Sequence, residues 1–319
     1  MQGVLVIGAT GDQGAAQVDV LRAAGWPVVA AVRQPGDPRI PPGVDSVPLD
    51  LHAPETLAPA LAGVDTVFLN LPSASFNDPE WILQGFENLL QAAEKAAISR
   101  IVFNASLYVG SSETGHVAHD TRLRIIERLF ASNVDATAVC PVIFMDNLLR
   151  GWALPSLRDR QVLSYPHNPD LPVSWICLSD VARIMLAVAT DPAAVNRRLV
   201  VGGPEALRGE QTAAALGRAW GRPIRFESLP VAQFARQMGQ LFAPDDPATA
   251  ARIERDLAAV YRWYNESVPS PFTVDMREFL SRYSLELQTV ETWAKAHPLS
   301  QEYIPTGGAR HPQSAGQAS

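Results

Sequence analysis

The sequence predicts an α/β protein built on a doubly wound parallel sheet, with a smaller mixed α/β lobe in its second half. Short apolar runs alternate with segments of helical periodicity, as expected when crossover helices join parallel neighbours. These runs are apolar at nearly every position, which is typical of strands covered by helices on both faces. A glycine-rich turn joins the first run to the first helix. With 319 residues, 47% of them hydrophobic, the chain can bury a large core.

The first half of the chain shows this alternation most clearly. Strands are predicted, in order, at residues 3–7, 28–32, 45–49, 66–71, 101–105 and 136–140. Helices are predicted between them at residues 13–24, 54–61, 79–97 and 120–132. Gly25 and Gly63 follow the first two helices, and glycine commonly ends a helix.

The second half is less regular. Strands are predicted at residues 173–178 and 198–201, and helices at 179–190, 211–220 and 244–266, with proline-containing loops at 164–172 and 267–272. From residue 305 the chain is rich in Gly, Ser and Gln, so 305–319 is predicted to be a disordered tail. We expect a nucleotide-binding domain over 1–150, to which later segments return, and an interleaved, smaller, substrate-covering lobe over 151–304.

The turn after the first strand carries three glycines spaced G-x-x-G-x-x-G. A side chain at Gly8 or Gly11 would block the approach of a pyrophosphate to backbone N–H groups and to the helix N-terminus. Gly14 lets the helix pack closely on the strand. The strand–turn–helix context favours a dinucleotide site over a plain structural turn. The candidate binding residues of this segment are Gly8, Thr10, Gly11, Asp12, Gln13 and Gly14.

Bulk properties exclude several other classes of protein. The net charge of −7 and the lack of Lys/Arg runs argue against nucleic-acid binding as the main function. Cys140 and Cys177 lie in apolar runs, which predicts buried thiols in a reducing compartment. We expect no signal peptide, no membrane segment and no metal site, and a cytoplasmic location.

The residues after the second strand indicate which dinucleotide such a site would take. NAD-binding folds commonly place a carboxylate there, where it accepts hydrogen bonds from the adenosine ribose. This strand ends instead in Arg33, whose guanidinium would pair with a 2′-phosphate that a carboxylate would repel. The sequence thus favours NADP(H) over NAD(H), although an arginine at a strand end can also be merely solvated.

Two further strand ends supply candidate cofactor contacts. Asp50 and Leu51 follow the third strand, where a carboxylate could meet the adenine amino group. The alternative is that Asp50 acts as an N-cap ahead of the next helix. After the fourth strand, Asn70, Leu71 and Pro72 are expected at the cofactor, with Asn70 and Pro72 contacting it through their backbone.

Longer segments resemble one group of reductases. The glycine turn, Asp50-Leu51 and residues 32–35, 100–106, 138–147 and 173–182 are similar to the NmrA-like group of atypical short-chain dehydrogenases/reductases. Looser similarity at 198–203 and 289–293 extends the resemblance over nearly the whole chain. It implies a Rossmann-type domain, bound NADP(H) and a smaller lobe over the nicotinamide. It also implies that Pro141 and Val142 face the nicotinamide, whereas as plain strand-end residues they would touch no ligand.

One departure from the wider superfamily bears on mechanism. Catalytic members carry Tyr-x-x-x-Lys on the helix after the fifth strand, and NmrA-like reductases often keep only the lysine. In the register of the family, Ala118 stands at the tyrosine position and Arg122 at the lysine position. Arginine can hydrogen-bond a ribose, but its pKa is too high for proton exchange near neutrality. The dyad that reduces carbonyls is therefore absent.

Four residues near the fifth strand remain candidates for catalytic roles. Ser106 lies at the sheet edge where ligands bind in such folds, so it is also a candidate cofactor contact, as is Arg122. Tyr108 could donate a proton or pack over the sheet edge. His119 could serve the reaction or belong to a helix start.

The second half adds aromatic and methionine residues that could line a pocket for a flat apolar substrate, although such residues usually pack inward. They are Trp152, Trp175, Phe234, Met238, Phe242, Tyr261, Trp263 and Tyr264.

Three functions are compatible with these observations. The first is a reductase that uses NADPH to deliver hydride directly to a quinone, an iminium, a dye-like cation or a conjugated alkene. The second is a sensor or regulator that binds NADP(H) without turnover. The third is an enzyme of secondary metabolism that keeps NADP(H) for a redox-neutral step. The full-sized, aromatic late lobe favours the reductase, with a small apolar or aromatic substrate as its partner, while a homodimer stays open.

Overall fold

A parallel seven-stranded sheet, flanked by helices on both faces, organises the protein. The computed structural model describes residues 3–300. The sheet has the strand order β3-β2-β1-β4-β5-β6-β8, and every pairing in it is parallel. The elements of the first half are, in chain order, β1 (Val4–Ile7), α1 (Asp12–Ala23), β2 (Val28–Val32), β3 (Asp45–Pro48), α2 (Leu57–Leu61), β4 (Thr66–Asn70), α3 (Pro79–Lys95), β5 (Arg100–Asn104), α4 (Val117–Phe130) and β6 (Asp135–Pro141).

The doubly wound sheet predicted from the sequence is confirmed, and each predicted element of the first half is present with bounds shifted by a few residues. The predicted helix at 54–61 begins as a 3-10 turn, Pro54–Thr56, before α2. Helix α4 begins three residues earlier than predicted, with His116 at its N-cap. Strands β1, β4 and β5 are fully buried along their length, as expected for strands covered on both faces.

The second half adds helices around a separate, parallel strand pair. Its elements are α5 (Leu154–Arg160), β7 (Val162–Tyr165), α6 (Leu178–Ala189), β8 (Arg197–Val201), α7 (Gly209–Trp220), β9 (Arg225–Ser228), α8 (Val231–Phe242), α9 (Pro247–Glu266), α10 (Arg277–Tyr283) and α11 (Val290–Ala296). Strand β8 returns to the main sheet beside β6, and α6 packs against α1. Strands β7 and β9 pair with each other.

The strand predicted at 198–201 and the helices predicted at 179–190, 211–220 and 244–266 are present with bounds shifted by up to three residues, but one strand prediction for this half is wrong. Residues 173–178 form no strand, because they make only isolated bridges, Val173 with Leu207 and Phe144 with Ile176. Their apolar run reflects burial in a crowded interior, which periodicity cannot tell from a covered strand. The predicted helix at 244–266 begins at Pro247, behind an Asp246 carboxylate that accepts hydrogen bonds from two backbone N–H groups.

Some elements escaped prediction altogether. Strand β7 falls partly in a segment expected to be a loop, and α5, β9, α8, α10 and α11 were not predicted. These elements are mostly short, so they carry little periodic signal. The predicted tail at 305–319 lies outside the described residues.

Three hydrophobic clusters fill the molecule, two against the faces of the main sheet and one inside the late lobe. The aromatic residues considered for a pocket mostly join the late-lobe cluster, so the inward-packing alternative is confirmed for Trp175, Phe234 and Tyr264. Cys140 and Cys177 are buried free thiols, and burial raises the pKa of each to about 12. Within residues 3–300, no helix combines the length and apolarity that crossing a membrane requires.

Candidate functional site

The glycine turn is shaped by close backbone contacts. Gly8 has φ +76°, and a Cβ there would lie 2.7 Å from the Asn70 carbonyl oxygen. A Cβ at Gly14 would lie 2.1 Å from the Gly8 carbonyl oxygen, closer than any side chain permits. Gly11 is the N-cap of α1, and its N–H donates to the Gly8 carbonyl at 2.9 Å. The turn therefore presents bare backbone at the N-terminus of α1.

A cavity of about 390 Å³ opens over this turn at the carboxyl edge of the sheet. We call the part around Arg33, Arg39 and the stacked His52–Trp81 pair the β1–β3 half, although Trp81 belongs to the helix after β4. We call the part around Gln13, Asn70 and Asp146 the β4–β6 half. Its walls are formed by Ile7, Gly8, Thr10, Gly11, Asp12, Gln13, Gly14, Ala31, Arg33, Arg39, Leu49, Asp50, Leu51, His52, Asn70, Leu71, Pro72, Asn77, Trp81, Phe144, Asp146, Asn147, Arg150 and Leu178. Twelve of the sequence-predicted cofactor residues, from Gly8 to Pro72, are thus brought together.

Two arginines give the β1–β3 half its positive charge. Arg33, predicted from the sequence, is exposed at the end of β2. Arg39, which was not predicted, forms an ion pair with Asp37 at 2.5 Å and also reaches the Thr10 carbonyl oxygen at 3.4 Å. The hydrogen bond from Arg39 lowers the pKa of Asp37 to about 2. Asp37 thereby holds the Arg39 guanidinium at the rim of the cavity.

The far wall of this half comes from the segment after β3. The Asp50 carboxylate accepts a hydrogen bond from the His52 backbone N–H at 2.9 Å. Ala53, and not Asp50, is the N-cap of the following 3-10 turn. Of the two alternatives for Asp50, the structure therefore supports a cavity-wall position and not a helix cap.

An ion pair forms part of the cavity wall near the N-terminus of α1. Arg150, from the segment after β6, pairs with Asp12 in the first turn of α1. Nearby, Asp146 accepts a hydrogen bond from the Leu178 backbone N–H at 2.9 Å, at the start of α6. Desolvation raises the pKa of Asp146 above its ordinary value. Segments from both halves of the chain thus meet at the N-terminus of α1.

Gln13 lines the β4–β6 half and is held by two side chains outside the cavity wall, Asn104 and the predicted site residue Ser106. The Gln13 Oε1 atom accepts hydrogen bonds from Asn104 Nδ2 at 2.7 Å and from Ser106 Oγ at 2.9 Å. Asn104 also donates to Asn70 Oδ1 at 3.1 Å, and Asn70 donates to the Ile7 carbonyl oxygen. These bonds fix the Gln13 amide with its oxygen turned inward. Its NH₂ group is then the end available to a ligand.

Arg122, at the lysine position of the family, does not line the cavity. Its guanidinium is fully buried and donates to the carbonyl oxygens of Leu71 at 3.3 Å and Pro72 at 2.5 Å. Burial lowers its pKa to about 10, and its Nε and Nη1 atoms have no partner among the described residues. Arg122 therefore supports the backbone that forms the cavity wall and does not reach into the cavity.

Tyr108 and His119 also lie outside the cavity wall, in an aromatic group beyond β5. The Nε2 atom of His119 is hydrogen-bonded to the Tyr264 hydroxyl at 2.7 Å, and burial lowers the His119 pKa to about 3. The Tyr108 ring centroid is 6.4 Å from that of His119 and 6.0 Å from that of Trp263. His119 is consequently a neutral, buried residue of α4 at neutral pH.

Pro141 and Val142 are not part of the cavity wall either. Pro141 ends β6, and the Val142 N–H continues the pairing with β8 by donating to the Val201 carbonyl at 3.0 Å. The side chains that reach the cavity from this segment are those of Phe144, Asp146 and Asn147. Contact of Pro141 and Val142 with the nicotinamide stays a prediction.

Sequence reasoning also missed Arg39, Trp81 and Arg150. Arg39 could have been found as a second cation six residues beyond Arg33, in a loop rich in Gly and Pro. Trp81 and Arg150 carry no local signal, because only the fold brings them to the cavity.

The chain belongs to the NmrA-like family, whose model matches residues 1–294. An NAD(P)H azoreductase from Xenophilus azovorans is 31% identical over 252 residues, which cover 77% of this chain and 84% of that protein. A (4-alkanoyl-5-oxo-2,5-dihydrofuran-3-yl)methyl phosphate reductase from Streptomyces griseus subsp. griseus is 32% identical over 229 residues, 72% of this chain and 77% of that protein.

The fold is shared with solved structures at lower identity. The triphenylmethane reductase of Citrobacter sp., crystallised as a complex with NADP(H), superposes with a TM-score of 0.71 at 16% identity. The match covers 92% of this chain and 99% of that one. The family and fold expected from the sequence motifs are both confirmed.

Proposed function

We propose that this protein is an NADPH-dependent reductase that transfers hydride directly to a flat, conjugated small-molecule acceptor. The observation that carries the proposal is one continuous cavity. It runs from the two arginines of the β1–β3 half, across the bare turn at the N-terminus of α1, to the amides of the β4–β6 half. The arginines, the bare backbone and the amide groups follow one another in the order of the 2′-phosphate, the pyrophosphate and the nicotinamide end of NADP(H).

The residues present fit the dinucleotide. The turn leaves no room for a Cβ at Gly8 or Gly14, which keeps its backbone bare, as binding of a pyrophosphate demands. Arg33 and Arg39 supply cations for a 2′-phosphate. The expected cofactor agrees with the NAD(P)H named for the azoreductase relative and the NADP(H) complex of the triphenylmethane reductase.

When bound, the reduced dinucleotide supplies a hydride ion. The protein contributes position and shape: Asn104 and Ser106 hold the Gln13 amide, and Arg122 holds the Leu71–Pro72 backbone from behind. The positions of the usual Tyr–Lys pair hold Ala118 and Arg122, and the buried guanidinium keeps its proton near neutrality. Acceptors whose reduction builds little charge on oxygen suit such a site, because they need little help from an acid.

The relatives support this acceptor class. An azo bond, a dihydrofuranone ring and a triphenylmethane dye, which the names of the three relatives specify, all contain conjugated systems. In the same proposal, Ser106 acts by orienting Gln13, while Tyr108 and His119 shape the aromatic region beyond β5. In this proposal the substrate is a small, flat, conjugated molecule with apolar or aromatic groups, and the compartment is reducing and cytoplasmic.

A screen of NADPH oxidation tests the proposal. We expect turnover with at least one member of a panel containing a benzoquinone, a naphthoquinone, an azo dye, a triphenylmethane dye and an enone. A simple aliphatic ketone serves as the control and should not react, because its reduction needs an acid. Micromolar NADPH binding without turnover of any acceptor would contradict the reductase and favour a protein that only senses NADP(H).

A further inference from the structure

We propose that Trp81, seated on His52, is the binding surface for the adenine base of the dinucleotide. This inference rests on the proposed NADP(H) site and extends it to a residue that the glycine and arginine motifs do not indicate. Trp81 is 40% exposed and lies in the wall of the cavity, on the side formed after β3. Such exposure of a large aromatic ring inside a cavity leaves apolar surface for a ligand to cover.

The two rings form a stack. The imidazole of His52 and the indole of Trp81 lie 4.2 Å apart between centroids, with an interplanar angle of 17°. Both rings belong to the cavity wall. One face of the indole is thus covered by His52, which leaves the opposite face for a ligand, beside Asp50 and Leu51.

The helix beneath is built to seat His52. Gly85 lies inside α3, one turn after Trp81, where glycine costs roughly 1 kcal/mol relative to alanine. A Cβ at Gly85 would lie 2.9 Å from His52 Nε2 and 3.1 Å from the Leu51 Cβ. The glycine therefore makes space for the imidazole on the face of α3 that also carries Trp81.

Hydrogen bonds hold both parts of the surface in place. Asp78 caps α3, and its carboxylate accepts from the Trp81 backbone N–H at 3.2 Å. Further along the helix, Asn88 donates to the Leu51 carbonyl oxygen at 2.9 Å and ties the segment after β3 to α3. The stacked pair is thus preorganised, which reduces the entropy lost when a flat base binds.

The arginines and the aromatic pair divide the recognition of one nucleotide half. Arg33 and Arg39 offer charge, which suits phosphate, whereas the rings offer a planar apolar face, which suits a purine. Both lie in the β1–β3 half, away from the amide groups around Gln13. A ligand with adenosine should therefore depend on Trp81, and a nicotinamide nucleotide without adenosine should not.

Calorimetry with three ligands tests this dependence. For Trp81→Leu, we expect binding of NADPH and of 2′,5′-ADP to weaken by about tenfold, the size of one base–aromatic stack. The Kd of reduced nicotinamide mononucleotide should stay unchanged. Leu83→Ala, on the same helix but outside the cavity wall, is the matched control and should leave all three Kd values unchanged. Equal losses for all three ligands, or no loss for any, would overturn the proposal.

Two variants that preserve the helix keep the test decisive if Trp81→Leu folds poorly. Gly85→Ala should displace the His52 ring and weaken 2′,5′-ADP binding selectively, while leaving the mononucleotide unaffected. If adenine stacks on Trp81, 2′,5′-ADP should quench the tryptophan fluorescence of the wild-type protein. Trp81→Phe should retain most of the affinity but lose this quenching. Quenching that persists in Trp81→Phe would assign it to another tryptophan and contradict the proposal.

These readouts need no acceptor and no turnover. Suppose that the wild-type protein turns over none of the acceptors, while Trp81→Leu weakens 2′,5′-ADP binding. This inference would then stand, and the proposed reductase activity would be wrong. If the wild-type protein reduces an acceptor but Trp81→Leu binds 2′,5′-ADP as tightly as the wild type, the reductase would stand and this inference would be wrong.

Discussion

The two halves of the cavity are built in opposite ways. The β1–β3 half presents exposed charges and rings, namely Arg33, Arg39 and the Trp81–His52 pair, toward solvent. The β4–β6 half presents amides that already hydrogen-bond one another around Gln13. For the proposed NADP(H) site, we expect affinity and the choice of dinucleotide to come from the first half. We expect the second half to position the reacting ring and to contribute little acid–base chemistry.

The largest expected effect comes from the turn that both halves share. Gly14→Ala should weaken NADPH binding by at least about a hundredfold and lower the melting temperature, because overpacking against fixed backbone costs ~3 kcal/mol or more. Gly151→Ala is the matched control, since a Cβ there meets nothing within 4 Å. Calorimetry and thermal unfolding measure both effects. Wild-type affinity in Gly14→Ala would show that the turn does not approach the ligand.

The aromatic region beyond the β4–β6 half should show itself in the pH dependence of stability. Burial lowers the pKa of His119 and of His167 to about 3, from an ordinary value near 6.5. Because the unfolded chain then binds protons more readily, stability is fully present above pH 6.5 and falls as the pH drops toward 3. From pH 7 to pH 5 each histidine should cost about 2 kcal/mol of unfolding free energy.

Urea unfolding of wild type and His167→Gln at several pH values measures this loss. The variant should show a shallower decline between pH 7 and pH 5 than the wild type. Parallel pH profiles would mean that His167 has the same pKa in the folded and the unfolded protein, and would contradict a dry interior in the late lobe.

Variants of the two arginines test whether the β1–β3 half determines the preference for NADPH over NADH. Arg33→Ala and Arg39→Ala should each weaken NADPH binding by about tenfold, as expected for loss of one charge-assisted contact to phosphate. Binding of NADH, which lacks the 2′-phosphate, should change little. Titrations with both nucleotides measure the ratio. A parallel fall in the affinities for NADPH and NADH would remove the arginines from phosphate recognition.

The smallest effect is expected at the carboxyl group of the β4–β6 half. Asp146→Asn keeps an acceptor for the Leu178 N–H, so kcat with a quinone should fall less than about tenfold. Loss of a general acid would instead cost roughly 10²–10⁴-fold. Steady-state kinetics distinguish the two, and a loss in the larger range would make Asp146 the proton donor that the account leaves out.

Each half of the cavity is predicted from the sequence only in part. The glycine turn, Arg33, Asp50 and the Asn70–Pro72 segment were predicted because each directly follows a strand, where ligands bind in such sheets. Arg150 and Trp81 were not predictable, because a loop after β6 and the outer end of α3 reach the cavity only in the folded chain.

The same limit applies to the fold. The apolar composition of buried strands such as β4 and β5 predicts them correctly. Composition does not predict the short pair β7–β9, and it wrongly predicts a strand at 173–178. In the late lobe, apolar residues from several helices and loops pack into one interior. The local periodicity there predicts which residues are buried, but not which element they pack against.

Calorimetric titration of the wild-type protein with NADPH and NADH tests the central claim most directly. The account predicts one site per chain, a micromolar Kd for NADPH and at least about tenfold weaker binding of NADH, the worth of one charge-assisted contact. Equal affinities, or no heat with millimolar NADPH, would contradict it.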